Sequence, residues 1–200
     1  FGLLGPNGAG KSSTIRCIAT TQAPTSGSIR GGGYDVASAG AAVRGLLGVV
    51  PQGLALYESL SVGENLRVFG GLYGLGGAAL RGRVEWGLEL AQLGAHRDKR
   101  VHTLSGGMKR RLNIAASLLH DPKILVFDEP TAGVDPQSRN HVFDMVRALH
   151  KEGRTVVYTT HYMEEADSQC DRVAIVDQGQ LVACDTMEAL LADAGSREFH

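Results

Sequence analysis

The chain has 200 residues, 43% of them hydrophobic, with 20 Lys and Arg against 21 Asp and Glu, which suits one well-buried domain with a smaller inserted lobe and excludes the basic excess of a nucleic-acid binder. Cys17, Cys170 and Cys184 are widely spaced with no CxxC pair, which excludes a disulfide framework or cysteine zinc site and points to a reducing compartment. No run of about 18 apolar residues is present, so any membrane role is expected to be peripheral.

In chain order, Phe1 to Leu4 read as a buried strand end, followed by the loop GPNGAGKSS and then by Ile15, Ile18 and Ala19 at helical spacing. Glycine-rich stretches such as RGGGYDV and FGGLYGLGG predict loops and weak elements. LLGVVPQ, residues 46–52, reads as a second buried strand stopped by Pro51, with Gln52 at its tip. From Ser61 the pattern Val62, Leu66, Phe69, Tyr73 is helical, and Ser61 with Glu64 forms a capping box. A second helix carries Val84, Leu88 and Ala91 on one stripe and Trp86, Leu90 and Leu93 on another. These two helices predict a lobe inserted between strands, with its aromatic residues packed in the core.

LSGGMKRRLNIAASLLHDP opens a further helix at Ser105 to Gly107, with Met108, Leu112, Ala115 and Leu119 on one face and a stop at Asp121 and Pro122. Lys109, Arg110 and Arg111 read as a solvated helix face. KILVFDEP is a short apolar strand ending in Asp128 and Glu129, as expected of a strand covered on both faces. Asp135 and Pro136 read as the N-cap and first residue of a helix that buries Val142, Val146 and Leu149 and ends at Gly153. TVVYTTH is another strand, tipped by His161, and the acids Glu164, Glu165 and Asp167 after it read as solubilising a helix. RVAIVDQGQLVAC predicts a hairpin around Gln178 and Gly179, and residues 186–200 read as a tail without pattern.

Strands alternating with helices predict an α/β fold with a mostly parallel sheet, in which ligands sit beyond the C-terminal strand ends. Gly5 to Ser12, Gln52, Asp128, Glu129 and His161 all fall at such ends. Gly5, Pro6, Asn7, Gly8, Ala9, Gly10, Lys11 and Ser12 match G-x-x-x-x-G-K-[ST] between a strand and a helix. Backbone N–H groups of such a loop cradle phosphates, Lys11 reaches the β- and γ-phosphates, and the Ser12 hydroxyl ligates Mg²⁺. Asp128, closing a strand beside that loop, suits a carboxylate holding a Mg²⁺-bound water, and Glu129 suits a general base for water attack.

A phosphate loop alone does not separate a kinase from a GTPase, a motor or a regulator. With VVPQ, LSGGMKRR, ILVFDEP, AGVDP and TTHYMEEAD in that order, however, nearly the whole chain resembles the nucleotide-binding domain of ATP-binding cassette (ABC) proteins. The 94 positions from Lys11 to Ser105 leave room for a small helical lobe and exclude a long coiled coil. The resemblance implies a P-loop NTPase fold, with a core from 1–52 and 122–185, a helical subdomain from 53–121 and a tail from 186–200. It implies that Gln52 touches Mg²⁺ or the attacking water, that Ser13 joins the ATP site, and that His161 bonds the γ-phosphate. It also implies that Ser105, Gly106 and Gly107 complete the ATP site of a second subunit in a homodimer or heterodimer, with Asp135 linking the two sites. An integral membrane permease subunit, and a place on the cytoplasmic face of the plasma membrane, follow from the same resemblance, and no nucleic-acid partner does.

Met108 stands where the family commonly has glutamine, and Ser13 where threonine is frequent. The family stacks adenine on an aromatic upstream of the loop, for which the four residues before Gly5 leave no room; the chain therefore reads as a fragment with its N-terminal antiparallel strands truncated. Within the family the motifs look most like ATPases of drug, lipid or polysaccharide exporters of the daunorubicin-resistance and nodulation-export kind. A translation-factor ATPase and an ATP-gated clamp with little turnover remain as alternatives.

Overall fold

A strand with apolar residues on both faces must be covered on both, and most of this sheet is built from such strands. The computed structural model describes residues 1–197; residues 198–200, the end of the expected tail, lie outside the described residues. In chain order the strands are β1 (Gly2–Leu4), β2 (Arg30–Gly31), β3 (Tyr34–Asp35), β4 (Leu47–Val50), β5 (Ile124–Asp128), β6 (Thr155–Thr160), β7 (Val173–Asp177) and β8 (Gln180–Asp185). The helices are α1 (Lys11–Ile18), α2 (Gly40–Leu46), α3 (Val62–Leu72), α4 (Gly77–Leu90), α5 (Gly106–Ser117), α6 (Pro136–Lys151), α7 (Met163–Gln169) and α8 (Met187–Arg197).

Six strands form one sheet in the order β4-β5-β6-β1-β7-β8, parallel except for the β7–β8 hairpin. That hairpin turns at Gln178 and Gly179, both at positive φ, as a two-residue loop matched to strand twist requires. β2 and β3 form a separate two-residue ladder around Gly32 and Gly33. Along β5, Leu125 and Phe127 face a cluster with Val142, Met145 and Leu149 of α6, whereas Val126 faces Ile15 of α1.

Helices α3, α4 and α5 bury Leu66, Leu88, Leu93 and Leu112 in a cluster of their own. The capping box at the start of α3 is complete: Glu64 N–H donates to Ser61 Oγ, and Ser61 N–H donates to Glu64 Oε2. α5 belongs to both clusters, giving Leu112 and Ala115 to the lobe and Ile114 to the sheet, where Leu118 beyond its end also packs. The aromatic residues of the lobe are less uniformly buried than their spacing predicts. Phe69 packs on the lobe core, but Tyr57 and Tyr73 are nearly half exposed. Trp86 leaves the lobe cluster and packs against the sheet cluster, with the Arg83 guanidinium 3.8 Å and the Arg154 guanidinium 5.5 Å from its ring centre.

Four elements had no counterpart in the periodicity. The helix α2 buries only Val43, the strands β2 and β3 are two residues each, and α8 begins at Met187 inside the expected tail, where Thr186 Oγ1 accepts from Ala189 N–H. Short elements that bury one side chain leave no repeat to read. Among the described residues no helix is long and apolar enough to cross a membrane.

His120 lies where lobe meets sheet, its ring stacked on Tyr73 at 3.9 Å and Nε2 donating to Leu47 O at 3.0 Å. Burial holds its pKa below the ordinary 6.5, outweighing the bond to Leu47. The unfolded chain therefore binds this proton more readily, and stability is lost as pH falls from 6.5 through the folded-state value. Urea midpoints measured at pH 7.5 and 5.5 should drop more on acidification for the wild type than for His120→Gln; equal drops would show that the ring does not carry this pH dependence.

Candidate functional site

The parallel register brings four strand ends to one edge. Leu4 pairs with Thr160, Asp128 with Thr159 and Val50 with Phe127, so the segments after β1, β4, β5 and β6 leave the sheet together. Because β6 lies between β1 and β5, the glycine loop and the acid pair are two strand spacings apart, about 10 Å. A cleft of about 520 Å³ occupies that gap. Asn7 to Ser13 form its floor, with Gln52, Glu129, Gly133, His161 and Tyr162 around it.

Gly8 and Gly10 both adopt positive φ, and Gly10 caps α1 without a side-chain bond, so the first-turn N–H groups of α1 are not taken by a side chain. A Cβ on Gly5 would collide with the Val176 carbonyl, which holds the loop's first residue to glycine. Lys11 is 4% exposed, and its Nζ donates to Gly5 O at 2.7 Å and Pro6 O at 3.1 Å. The same nitrogen lies 3.3 Å from Glu129 Oε1. His161 Nδ1 lies 3.2 Å from Glu129 Oε2, close enough for an ion pair but without hydrogen-bond geometry. Arg16, which sequence reasoning had not singled out, also lines the cleft and donates to Ser13 Oγ.

Behind this front sits a layer of positioning bonds. Thr159 Oγ1 donates to Asp128 Oδ1 at 2.9 Å and accepts from Glu129 N–H at 3.0 Å, fixing both acids from the neighbouring strand. Glu129 itself has φ 45°, a left-handed conformation uncommon for this residue type and typical of strained functional positions. Ser12 Oγ lies 3.4 Å from Asp128 Oδ1, so two oxygen donors suited to a hard cation face each other. Among the described residues no three His, Cys, Asp or Glu side chains gather as a metal cage.

Ser105, Gly106, Gly107 and Asp135 stand apart from that cleft's lining. Ser105 caps α5 by accepting from Met108 N–H, and Asp135 caps α6 by accepting from Ser138 N–H. The Ser138 hydroxyl and backbone hold the Asp135 carboxyl below its ordinary pKa. The first turns of α5 and α6 lie against each other, since a Cβ on Gly107 would collide with Ser138 Oγ.

Two charged residues read from sequence as solvated are buried. Arg110 is 3% exposed and donates to main-chain carbonyls of Pro51, Gln52, Glu129 and Pro130. Burial lowers its pKa to about 10, so it stays charged at neutral pH. Its signal was available: Arg110, Ile114 and Leu118 recur at i, i+4, i+8, a second stripe facing the sheet. Glu165 is 3% exposed and accepts from the hydroxyls of Thr131, Tyr158 and Thr160, with Arg139 Nε 3.8 Å away. Burial and this carboxylate raise the Tyr158 pKa above its ordinary value. No periodic signal marks Glu165; the only hint is two threonines ending a buried strand.

With this geometry in place, the ABC transporter family model matches residues 1–132, from the first strand past Glu129. The chain belongs to the ABC transporter family. It is 47% identical over 195 residues to the linearmycin resistance ATP-binding protein of Bacillus subtilis, covering 98% of this chain and 63% of that protein. The daunorubicin/doxorubicin resistance ATP-binding protein of Streptomyces peucetius is 46% identical, with 98% of this chain and 59% of that protein covered. For the Nod factor export ATP-binding protein I of Paraburkholderia xenovorans the figures are 44%, 96% and 63%. The chain thus spans about three fifths of the length of these relatives. Among solved structures, an ATP-binding subunit of an ABC transporter superposes with TM-score 0.84 at 30% identity, over 98% of this chain and 82% of that one. The cbiO1 protein from Clostridium perfringens, part of the ABC transporter complex cbiONQ, gives 0.86 at 28% identity over 98% and 80%. These likenesses settle the α/β P-loop fold of ABC ATPases.

Removing the Glu165 carboxylate strands several buried donors. Glu165→Ala should lower the unfolding free energy by about 3 kcal/mol, while Glu164→Ala on the exposed side of the same helix should stay within about 0.5 kcal/mol. Urea unfolding of the two variants measures the difference, and equal losses would contradict the buried-carboxylate assignment.

Proposed function

We propose that the chain is the ATP-hydrolysing subunit of an exporter, converting ATP and water to ADP and phosphate and using closure of a nucleotide-bound dimer to drive a membrane partner. The observation that carries this reading is the meeting of Lys11, Glu129 and His161 over an uncapped, glycine-lined helix start in one cleft. Support for export comes from the family relatives, which are named for antibiotic resistance and Nod factor export.

In this reading Gly5 to Ser13 wrap the phosphates with backbone N–H groups, and Lys11 offsets the charge of the β- and γ-phosphates. Ser12 and Asp128, with Gln52 at the cleft wall, hold Mg²⁺, which when bound neutralises charge on the transferring phosphate. The Glu129 carboxylate orients the attacking water and takes its proton. His161 presents one ring nitrogen to Glu129 and leaves the other for the γ-phosphate, so the base and the phosphate contact share one strand tip. Arg16 adds a cation beside Ser13. Residues 1–52 and 122–185 serve as the core and 53–121 as the helical subdomain that engages a membrane permease.

Ser105 to Gly107 lie outside this cleft, and α5 begins there with a positive helix end. That supports a composite site, in which these residues contact ATP held by the opposite subunit of a homodimer or heterodimer and Asp135 lies between the two sites. The assembly sits on the cytoplasmic face of the membrane, held there by its permease.

Static light scattering on the full-length chain tests this. Glu129→Gln should cut hydrolysis by about 10²- to 10⁴-fold and dimerise with Mg-ATP, and adding Ser105→Arg should abolish the dimer. Persistence of the dimer in the double variant would remove Ser105 from the nucleotide interface.

A further inference from the structure

A buried guanidinium bound only by main-chain carbonyls is a costly arrangement, since an apolar side chain of similar volume usually supports a core as well or better. Arg110 is such a group, and the positions of its acceptors give it a role. Nη1 donates to Pro51 O at 2.8 Å and Gln52 O at 3.0 Å, beyond the tip of β4. Nε donates to Pro130 O at 2.6 Å, and Nη2 to Glu129 O at 3.3 Å, beyond the tip of β5. These strands are neighbours in the sheet, and one planar fork spans both exits.

The fork therefore grips the two peptide segments whose side chains face the cleft from that side. On the β5 side it holds carbonyls next to the left-handed backbone of Glu129, which Thr159 fixes through the N–H. On the β4 side it is reinforced one turn further along α5, where Asn113 Oδ1 accepts from Ala55 N–H at 2.9 Å. Asn65 closes the same loop from α3 by bonding the Tyr57 backbone. Ser105, the N-cap of α5, lies about 7.5 Å of helix rise from Arg110. The first turn of α5 is wedged on α6 at Gly107 and Ser138. A shift at that helix start has a short rigid path to both Glu129 and Gln52.

We infer that Arg110 is a positioning residue for ATP hydrolysis: its guanidinium holds the main chains of Gln52 and Glu129 in one frame and makes the position of the base follow that of α5. The inference rests on the proposed role of Glu129 as base. Lysine cannot replace it, because one ammonium on a flexible stem does not supply a fork that bonds two strand exits at once. Arg111, the next residue, donates instead to Ala91 O within the lobe and does not share this function.

The test is a double-mutant cycle on the full-length chain, comparing wild type, Arg110→Lys, Glu129→Gln and the double variant for kcat, KM and Mg-ATP affinity. Arg110→Lys should lower kcat by about 10- to 100-fold, as expected for a misplaced catalytic group, with ATP affinity within about twofold and a cooperative melt retained. In the Glu129→Gln background the same change should lower the residual rate less than about twofold, because a residue that acts through the base has nothing left to position. Arg110→Gln, which removes the buried charge, carries the same comparison where the lysine variant melts below assay temperature. Losses that multiply in the double variant, or a kcat loss matched by an equal loss of ATP affinity, would overturn the positioning role. A wild type that binds but does not hydrolyse ATP, at a rate equal to Glu129→Gln, would instead overturn the proposed hydrolytic function on which it rests.

Discussion

Strand β6 lies between β1 and β5 in parallel register, with Thr160 beside Leu4 and Thr159 beside Asp128. That registration fixes the gap between phosphate loop and acid pair at two strand spacings, and the cleft's dimensions follow from it. A slip of one residue along β6 would turn Thr159 away from Asp128 and Glu129 and carry His161 off the cleft edge. The apolar residues on both faces of the central strands, buried under α1 on one side and α5 and α6 on the other, are what make such a slip costly.

Behind the front-line residues two opposite charges are held in the same manner. Arg110 is solvated by four carbonyls and Glu165 by three hydroxyls. Glu165 ties Thr131, just past Glu129, to Thr160, just before His161. Arg110 ties Glu129 to Gln52. Together the two side chains join the tips of β4, β5 and β6 into one polar truss, with charge-assisted bonds stronger than those between neutral partners. Groups this deeply buried tolerate little loss of a partner, so the truss is stiff as well as strong.

Much of the site was legible because its parts are local in sequence. The phosphate loop lies between one strand and one helix, and the acids, Gln52 and His161 fall at strand ends that short apolar runs define. The capping box at Ser61 and the hairpin at Gln178 were equally readable, because each depends on residues only a few positions apart. What periodicity misread was burial of charge. Lys109, Arg110 and Arg111 look alike in sequence, yet α5 is sandwiched between lobe and sheet, so a residue turned away from the lobe stripe enters a second interior. Glu165 was hidden for a different reason: its partners lie on β6 and after β5, and three adjacent acids give no sign of which one meets them. The short elements α2, β2 and β3, and the start of α8, bury too little to leave a pattern.

Trp86 is the chain's single tryptophan. It sits where the helical lobe meets the sheet, with one arginine from the lobe and one from the segment before β6 near its ring. Indole emission responds to nearby cations and to solvent access, so the seam between lobe and core carries its own optical reporter. Rotation of the lobe against the core would alter the separation of Arg154 from the ring and register as a change in the native fluorescence of Trp86, without a label.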